Sequence, residues 1–248
     1  MEAQIGERPS VPFLANAAWP RLVLLPGMHG DGELFSDFMK ALPEDFASTA
    51  PSYPNDVPLS YTDLLRAVQH SAAECGPFVM LAESFSTPLA IQFAAKNPSN
   101  LKGLAISAGF ATSPVRGFLR LVSPFVGPIL GHLPVSKLGA RIMVAGPMIP
   151  RSAPVRMRAA IAAVKPKVLM DRVRSVLECN VLDELCKIKA PILFLQARYD
   201  RLVSPVCLEE MMQVKPEIEV VVVDGPHMLL EQMPRQTAKI VAEFVRRL

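Results

Sequence analysis

The chain has 248 residues, 50% of them apolar and 20% charged, which excludes an intrinsically disordered protein and leaves room for one large α/β domain or two small ones. Its 26 basic and 23 acidic residues give a formal net charge of +3, too small an excess for a protein that binds nucleic acid by charge alone. Cys75, Cys179, Cys186 and Cys207 form no Cys-x-x-Cys pair and have no ligand spacing with the histidines, so they read as reduced thiols of a cytoplasmic protein.

The opening MEAQIGERPS lacks the basic flank and apolar run of a secretory signal. Short apolar runs that read as buried parallel strands then follow in order: RLVLLP (21–26), FVMLA (78–82), LKGLAIS (101–107), PILFLQA (191–197) and EIEVVVVD (217–224). Helical patterns separate them. Ser60 and Asp63 have capping-box spacing at the start of a helix through Ala73. Ser204-Pro205 opens another, and a final helix begins near Pro234 with Ile240, Val241, Phe244, Val245 and Leu248 on one face. Strands alternating with helices predict an α/β fold with a doubly wound, mostly parallel sheet. The alternation breaks at 111–176, rich in Pro, Gly, Met and Arg, which reads as an inserted helical cap between a first core part (1–110) and a second (177–248). A helix over 171–185 is expected to lead back to the sheet. The longest stretch without Asp, Glu, Lys or Arg, 121–136, is broken by three prolines and a histidine, so it predicts no transmembrane span.

The strand at 78–82 runs into Glu83-Ser84-Phe85-Ser86, with a helical stretch after it. A serine on such a sharp turn exposes its hydroxyl at the strand's C-terminal edge, and close helix–strand approach calls for small residues two before and two after, here Ala82 and Ser86. A serine hydroxyl needs a base, and the base needs an orienting carboxylate. Asp200 follows the strand at 191–197, and His227 follows the strand at 217–224. In a parallel sheet these ends share one edge. Asp224 and Glu231 are rivals of Asp200: Asp224 is close to His227 in sequence, and Glu231 is expected to face solvent or cap a helix. His29 reads as structural or substrate-adjacent, while His70 and His132 receive no role.

Strand, serine turn and helix, then an acid and a histidine after later strands, resemble the α/β-hydrolase superfamily over nearly the whole chain, 21–248. The resemblance implies Ser84 as nucleophile, Asp200 as acid and His227 as base. LLPGMHGDG (24–32) is similar to the superfamily's oxyanion loop, which implies that the backbone N–H groups of Met28 and Phe85 face the developing oxyanion. Residues before Arg21 are too few for the usual antiparallel hairpin, so it is expected to be shortened or missing. The chain departs from the pattern at Ser86, where glycine is usual, and at Phe85, which predicts a greasy floor to the site. Glu83 reads as a cap for nearby backbone groups. Serine rather than aspartate at the nucleophile position disfavours likeness to haloalkane dehalogenases and epoxide hydrolases.

Between residues 111 and 176 there are 11 basic residues against Asp171 alone, a charge of +10, whereas the remainder carries −7. Apolar stretches lie between these arginines. Such a surface suits an apolar acyl chain on an anionic carrier such as acyl carrier protein or coenzyme A, or an anionic lipid surface. Arg141, Arg151, Arg156 and Arg158 are the candidate substrate contacts. The competing expectation is that these arginines solvate the lid and pair with the acidic core. Similarity extends to pimeloyl-thioester methyl esterases, although their tryptophan-rich oxyanion loop does not recur here. The expected activity is hydrolysis of carboxylic esters or thioesters of medium acyl or aliphatic groups, with neither cofactor nor metal. A lysophospholipase or monoglyceride lipase at a membrane surface, an acyltransferase, and an inactive binding protein of the same fold remain open. Oligomeric state is not legible.

Overall fold

The structure, a computed structural model, describes residues 19–73, 75–115 and 155–248. Strands β1 (Arg21–Leu25), β2 (Ser48–Thr49), β3 (Phe78–Glu83), β4 (Leu101–Ser107), β5 (Ile192–Ala197) and β6 (Glu219–Val223) form one sheet in the order β2-β1-β3-β4-β5-β6. Every pairing between them is parallel. The helices are α1 (Ser36–Ala41), α2 (Tyr61–Ala73), α3 (Thr87–Ala94), α4 (Val155–Ala163), α5 (Pro166–Leu177), α6 (Leu182–Leu185), α7 (Pro205–Val214), α8 (Leu229–Gln232) and α9 (Pro234–Val245).

Alternation along each strand builds two apolar layers. Val23, Leu25, Met80 and Phe194 pack with residues of α2, α3 and α7 on one face. Leu22, Leu24, Leu81 and Leu195 pack with Phe38 of α1 and Val241 and Phe244 of α9 on the other. Each fully buried Leu or Phe contributes about 1.5–3 kcal/mol, which is why β1, β3 and β5 tolerate almost no polar residue. The predicted capping box forms: the Asp63 N–H donates to Ser60 Oγ at 3.2 Å, and the Ser60 N–H donates to Asp63 Oδ2 at 3.1 Å. Ser204 caps α7 by accepting the Val206 N–H at 3.4 Å.

Three expectations change. The two-residue strand β2 adds a sixth member that no apolar run announces. Strand β6 is an edge strand, so Val222 is exposed although its sequence reads as fully buried. The helix expected over 171–185 is divided. The chain leaving β4 and the chain returning to α6 pair as a short antiparallel ribbon, with Ser113 N–H on Cys179 O at 3.0 Å and Val181 N–H on Ala111 O at 2.8 Å. Those bonds need extended backbone and therefore end α5 at Leu177. The expected shortened hairpin would involve residues 1–18, and most of the expected cap, 116–154, lies outside the described residues as well; α4 and α5 are the described parts of that segment. No helix among the described residues is long and apolar enough to cross a membrane.

Candidate active site

The order of strands reverses between β1 and β3, and a parallel sheet opens a crevice at the C-terminal ends of such strands. The loop after β1 carries Met28 and the loop after β3 carries Ser84, so the two flank this point.

Ser84 has φ +48°, a left-handed backbone that non-glycine residues adopt at some cost and that an over-determined surrounding must hold. Several bonds do so. The Thr87 N–H donates to the Ser84 carbonyl, Tyr61 Oη donates to the Phe85 carbonyl at 2.8 Å, and Ser86 Oγ donates to the Pro26 carbonyl at 2.5 Å. Ser86 also pairs with Tyr53 Oη at 2.7 Å. Since the Ser86 proton lies on Pro26, Tyr53 is the donor in that pair. The hydroxyl at the usual glycine position is thus a tie between the Ser84 turn and the end of β1. The Phe85 side chain is buried against Tyr61, with ring centroids 4.9 Å apart; it belongs to the core and does not floor the site as expected.

Ser84, Asp200 and His227 meet. His227 Nε2 lies 2.7 Å from Ser84 Oγ, and His227 Nδ1 lies 2.7 Å from Asp200 Oδ2. Asp200 Oδ1 accepts the Leu202 and Val203 N–H groups at 2.8 and 2.9 Å, so both carboxylate oxygens are fixed. With Asp200 on Nδ1, the imidazole carries its hydrogen there and presents a lone pair on Nε2 to the serine hydroxyl. The rival Asp224 pairs with Arg198 at the surface, away from this chain of bonds.

The Gly30 N–H donates to the Gly27 carbonyl at 2.9 Å. A peptide's C=O and N–H point in opposite directions, so this turn sets where the Met28 N–H is aimed. In the same way, the Thr87 bond on the Ser84 carbonyl sets the Phe85 N–H. The loop is locked from outside by Arg172, which donates from Nη1 to the Met28 carbonyl at 2.7 Å and from Nη2 to the Pro54 carbonyl at 2.8 Å. Arg172 is 3% exposed, and burial pulls its pKa down to about 10, so it is still cationic at neutral pH. Gly30 has φ +71°, and a Cβ there would stand 2.7 Å from the Arg172 guanidinium; both the backbone and the space require glycine. In the sequence Arg172 is one of the 11 basic residues between 111 and 176, with nothing local to set it apart. Only the fold, which turns α5 back onto the β1 loop, distinguishes it.

Beside the site, His29, Glu83 and Glu231 bring their ligating atoms within 4.8 Å of one another. Glu83 and His29 are 1% and 4% exposed, and the Glu231 side chain is likewise buried, which corrects its expected position in solvent or as a helix cap. Glu83 does not cap the turn that it precedes, and the backbone group near its carboxyl is the Leu230 N–H. Burial first, and the Glu231 charge second, hold the Glu83 carboxyl well above its usual range. The Asp31 N–H donates to His29 Nδ1 at 3.0 Å, so the ring's hydrogen is on Nε2, 3.5 Å from Glu231 Oε1. These three could hold a divalent cation only if His29 changed tautomer.

Two small apolar clusters pack against the loops that carry Met28 and His227. Val164, Val168 and Leu169 pack on Met28, and Met157 packs on Met228, next to His227. Of the expected substrate contacts, Arg156 donates to the Glu33 carbonyl at 3.1 Å and to Ser36 Oγ at 2.9 Å, and pairs with Asp37 at 3.6 Å. Arg158 is exposed on the same helix. Arg141 and Arg151 lie outside the described residues. Cys179 and Cys207 are buried, and none of the four cysteines is in a disulfide.

Known structures share this architecture. A hydrolase from Pseudomonas aeruginosa PA01 superposes with a TM-score of 0.74 at 19% identity, covering 92% of this chain and 91% of its own. A thermophilic esterase from Thermogutta terrifontis superposes at 0.73 with 18% identity, covering 92% and 90%. A membrane phospholipase A described as a bacterial virulence factor superposes at 0.70 with 20% identity, covering 94% and 80%. No curated protein sequence matches. The sequence profile of the alpha/beta hydrolase family matches residues 22–240. With the profile spanning nearly the whole chain, the protein belongs to the alpha/beta hydrolase family.

Proposed function

We propose that the protein is a serine hydrolase of carboxylic esters, with thioesters within its chemistry, acting on medium acyl or aliphatic groups. The observation that carries this reading is the unbroken chain from Ser84 Oγ through His227 to Asp200, each link 2.7 Å. Ser84 attacks the carbonyl carbon while His227 Nε2 takes its proton, and Asp200 steadies the imidazolium. The carbonyl oxygen becomes an oxyanion held by the Met28 and Phe85 N–H groups, each donor lowering the barrier by about 3–4 kcal/mol. His227 then gives its proton to the leaving group. Water, deprotonated by His227, cleaves the acyl-enzyme.

The apolar packing of Val164, Val168 and Leu169 on Met28, and of Met157 on Met228, places aliphatic surroundings next to the loops that carry the proposed site and supports an aliphatic acyl group. The basic segment supports an anionic carrier such as acyl carrier protein or coenzyme A. Arg156, engaged with Glu33, Ser36 and Asp37, is better read as a strut that ties α4 to the start of α1. A second reading, a lysophospholipase or monoglyceride lipase at a membrane surface, draws on the same basic segment and on the likeness to the membrane phospholipase A. Co-sedimentation with anionic vesicles separates the two, since only the second requires binding.

The decisive test is labelling with a fluorophosphonate. Covalent adduct on Ser84, together with a fall of at least about 10³-fold on a short p-nitrophenyl ester in Ser84→Ala, is the expected outcome. No adduct would favour a binding protein of this fold. Product analysis with an added alcohol or amine acceptor separates hydrolase from acyltransferase.

A further inference from the structure

Glu83, His29 and Glu231 take no part in the chemistry above, yet each sits beside a residue that does. Glu83 precedes Ser84, His29 follows Met28, and Glu231 is on α8 just after His227. The three loops that carry nucleophile, oxyanion donor and base therefore meet in one buried cluster. Neither carboxylate has a full hydrogen bond if both are ionised, although the Leu230 N–H is close enough to ease the charge on Glu83. Two adjacent anions in such a site repel strongly, and the neighbouring Asp200 adds to that repulsion. One proton removes the conflict by creating an O–H···O bond between the carboxyls, and it leaves a single negative charge to accept the His29 Nε2–H.

We propose that Glu83 and Glu231 share one proton and, with His29, act as positioning residues that tie the three catalytic loops into one rigid unit. This rests on the serine hydrolase reading for its kinetic consequence, although the shared proton itself does not. The His29 tautomer supports a proton rather than a metal ion, because the Asp31 N–H occupies Nδ1 and Nε2 therefore has no lone pair for a cation. Among the described residues, the titratable groups acting on the pair are His29 from the β1 loop, Asp200 from the β5 loop and, through Asp200, His227. When the shared proton leaves as pH rises, the carboxylates repel, the loops separate and kcat falls, which forms the alkaline limb of the profile.

The test is the pH profile of kcat for the wild type, Glu231→Gln and Glu231→Ala on a short p-nitrophenyl ester. The glutamine amide donates to Glu83 without a proton that titrates, so Glu231→Gln keeps the neutral-pH rate and loses the alkaline limb. Glu231→Ala leaves Glu83 unpartnered and lowers kcat about tenfold or more, with KM changed far less, because geometry and not binding is lost. An alkaline limb in Glu231→Gln identical to that of the wild type, or an unaltered kcat in Glu231→Ala, overturns the proposal. Should the variants fail to fold, infrared spectra of the wild-type protein decide. A protonated carboxyl C=O band at neutral pH that shifts with ¹³C-glutamate supports the shared proton, and its absence overturns it. One equivalent of a tightly bound divalent metal found by elemental analysis also overturns it. Fluorophosphonate labelling of Ser84 reports separately on the hydrolase reading, so failure of one is distinguishable from failure of the other.

Discussion

Arg172→Met removes the two bonds to the Met28 and Pro54 carbonyls, at 2.7 and 2.8 Å, while keeping much of the apolar stem. A hydrogen bond from a charged donor contributes about 1.5–3 kcal/mol. Restoring the guanidinium to water in the unfolded chain no longer matters in the variant, and that recovers part of the loss. A net decrease of about 2–3 kcal/mol in unfolding free energy is expected. The kinetic effect is larger than that figure implies. The Met28 carbonyl belongs to the peptide after the proposed oxyanion donor, and that N–H takes its direction from the tight turn from Gly27 to Gly30. Losing one oxyanion donor outright lowers kcat by about 10²–10³; a loosened turn should give a fall of about tenfold to a hundredfold. Arg172→Lys is expected to recover little, because an ammonium cannot reach two carbonyls with a planar fork. Urea unfolding measures the first effect, and kcat and KM on a short p-nitrophenyl ester measure the second. A variant that is destabilised but turns over at the wild-type rate would refute the reasoning and reduce Arg172 to an anchor for α5.

Asp200→Asn leaves the hydrogen-bond geometry nearly intact but favours the wrong imidazole tautomer, so kcat should fall by about 10⁴ with little change in thermal stability; a loss under tenfold would mean another acid serves His227. Ser86→Gly restores the residue usual at this turn yet orphans the Pro26 carbonyl and the buried Tyr53 hydroxyl, so a destabilisation of about 1–3 kcal/mol is expected in thermal or urea unfolding, where stabilisation would contradict the assigned tie. Because the Glu83 carboxyl is held above its ordinary range, the folded chain keeps a proton that the unfolded chain releases. Its contribution is fully present below the ordinary carboxyl range and declines as pH rises through the elevated value. Unfolding free energy measured from about pH 5 to pH 9 should therefore decline more steeply in the wild type than in Glu83→Gln, and equal slopes would contradict the assignment. Ser60→Ala breaks the capping box at the start of α2 and should cost about 0.5–1 kcal/mol in urea unfolding while leaving kcat unchanged.

The sequence by itself determined what depends on local periodicity and on position along the chain. Apolar runs located five of the six strands because a strand covered on both faces has no polar position to spare. That Ser84, Asp200 and His227 meet was legible because each follows a strand, and parallel strands bring their C-terminal ends to one edge. The Ser60 and Ser204 caps were legible because they involve residues only a few positions apart. Tertiary structure alone decided what depends on packing across the chain. Strand β2 is two residues long and exists only because β1 offers it an edge. The exposure of Val222 follows from β6 lying at the end of the sheet, which its valines do not encode. Arg172 looks like any cap arginine until α5 folds back over Gly30, and Glu83 looks like a capping residue until Glu231 and His29 close over it. The near-neutral net charge concealed the same distinction. The sequence shows that charge is segregated along the chain, whereas only packing decides that Arg156 reaches Asp37 at the surface while Arg172 is buried on backbone carbonyls.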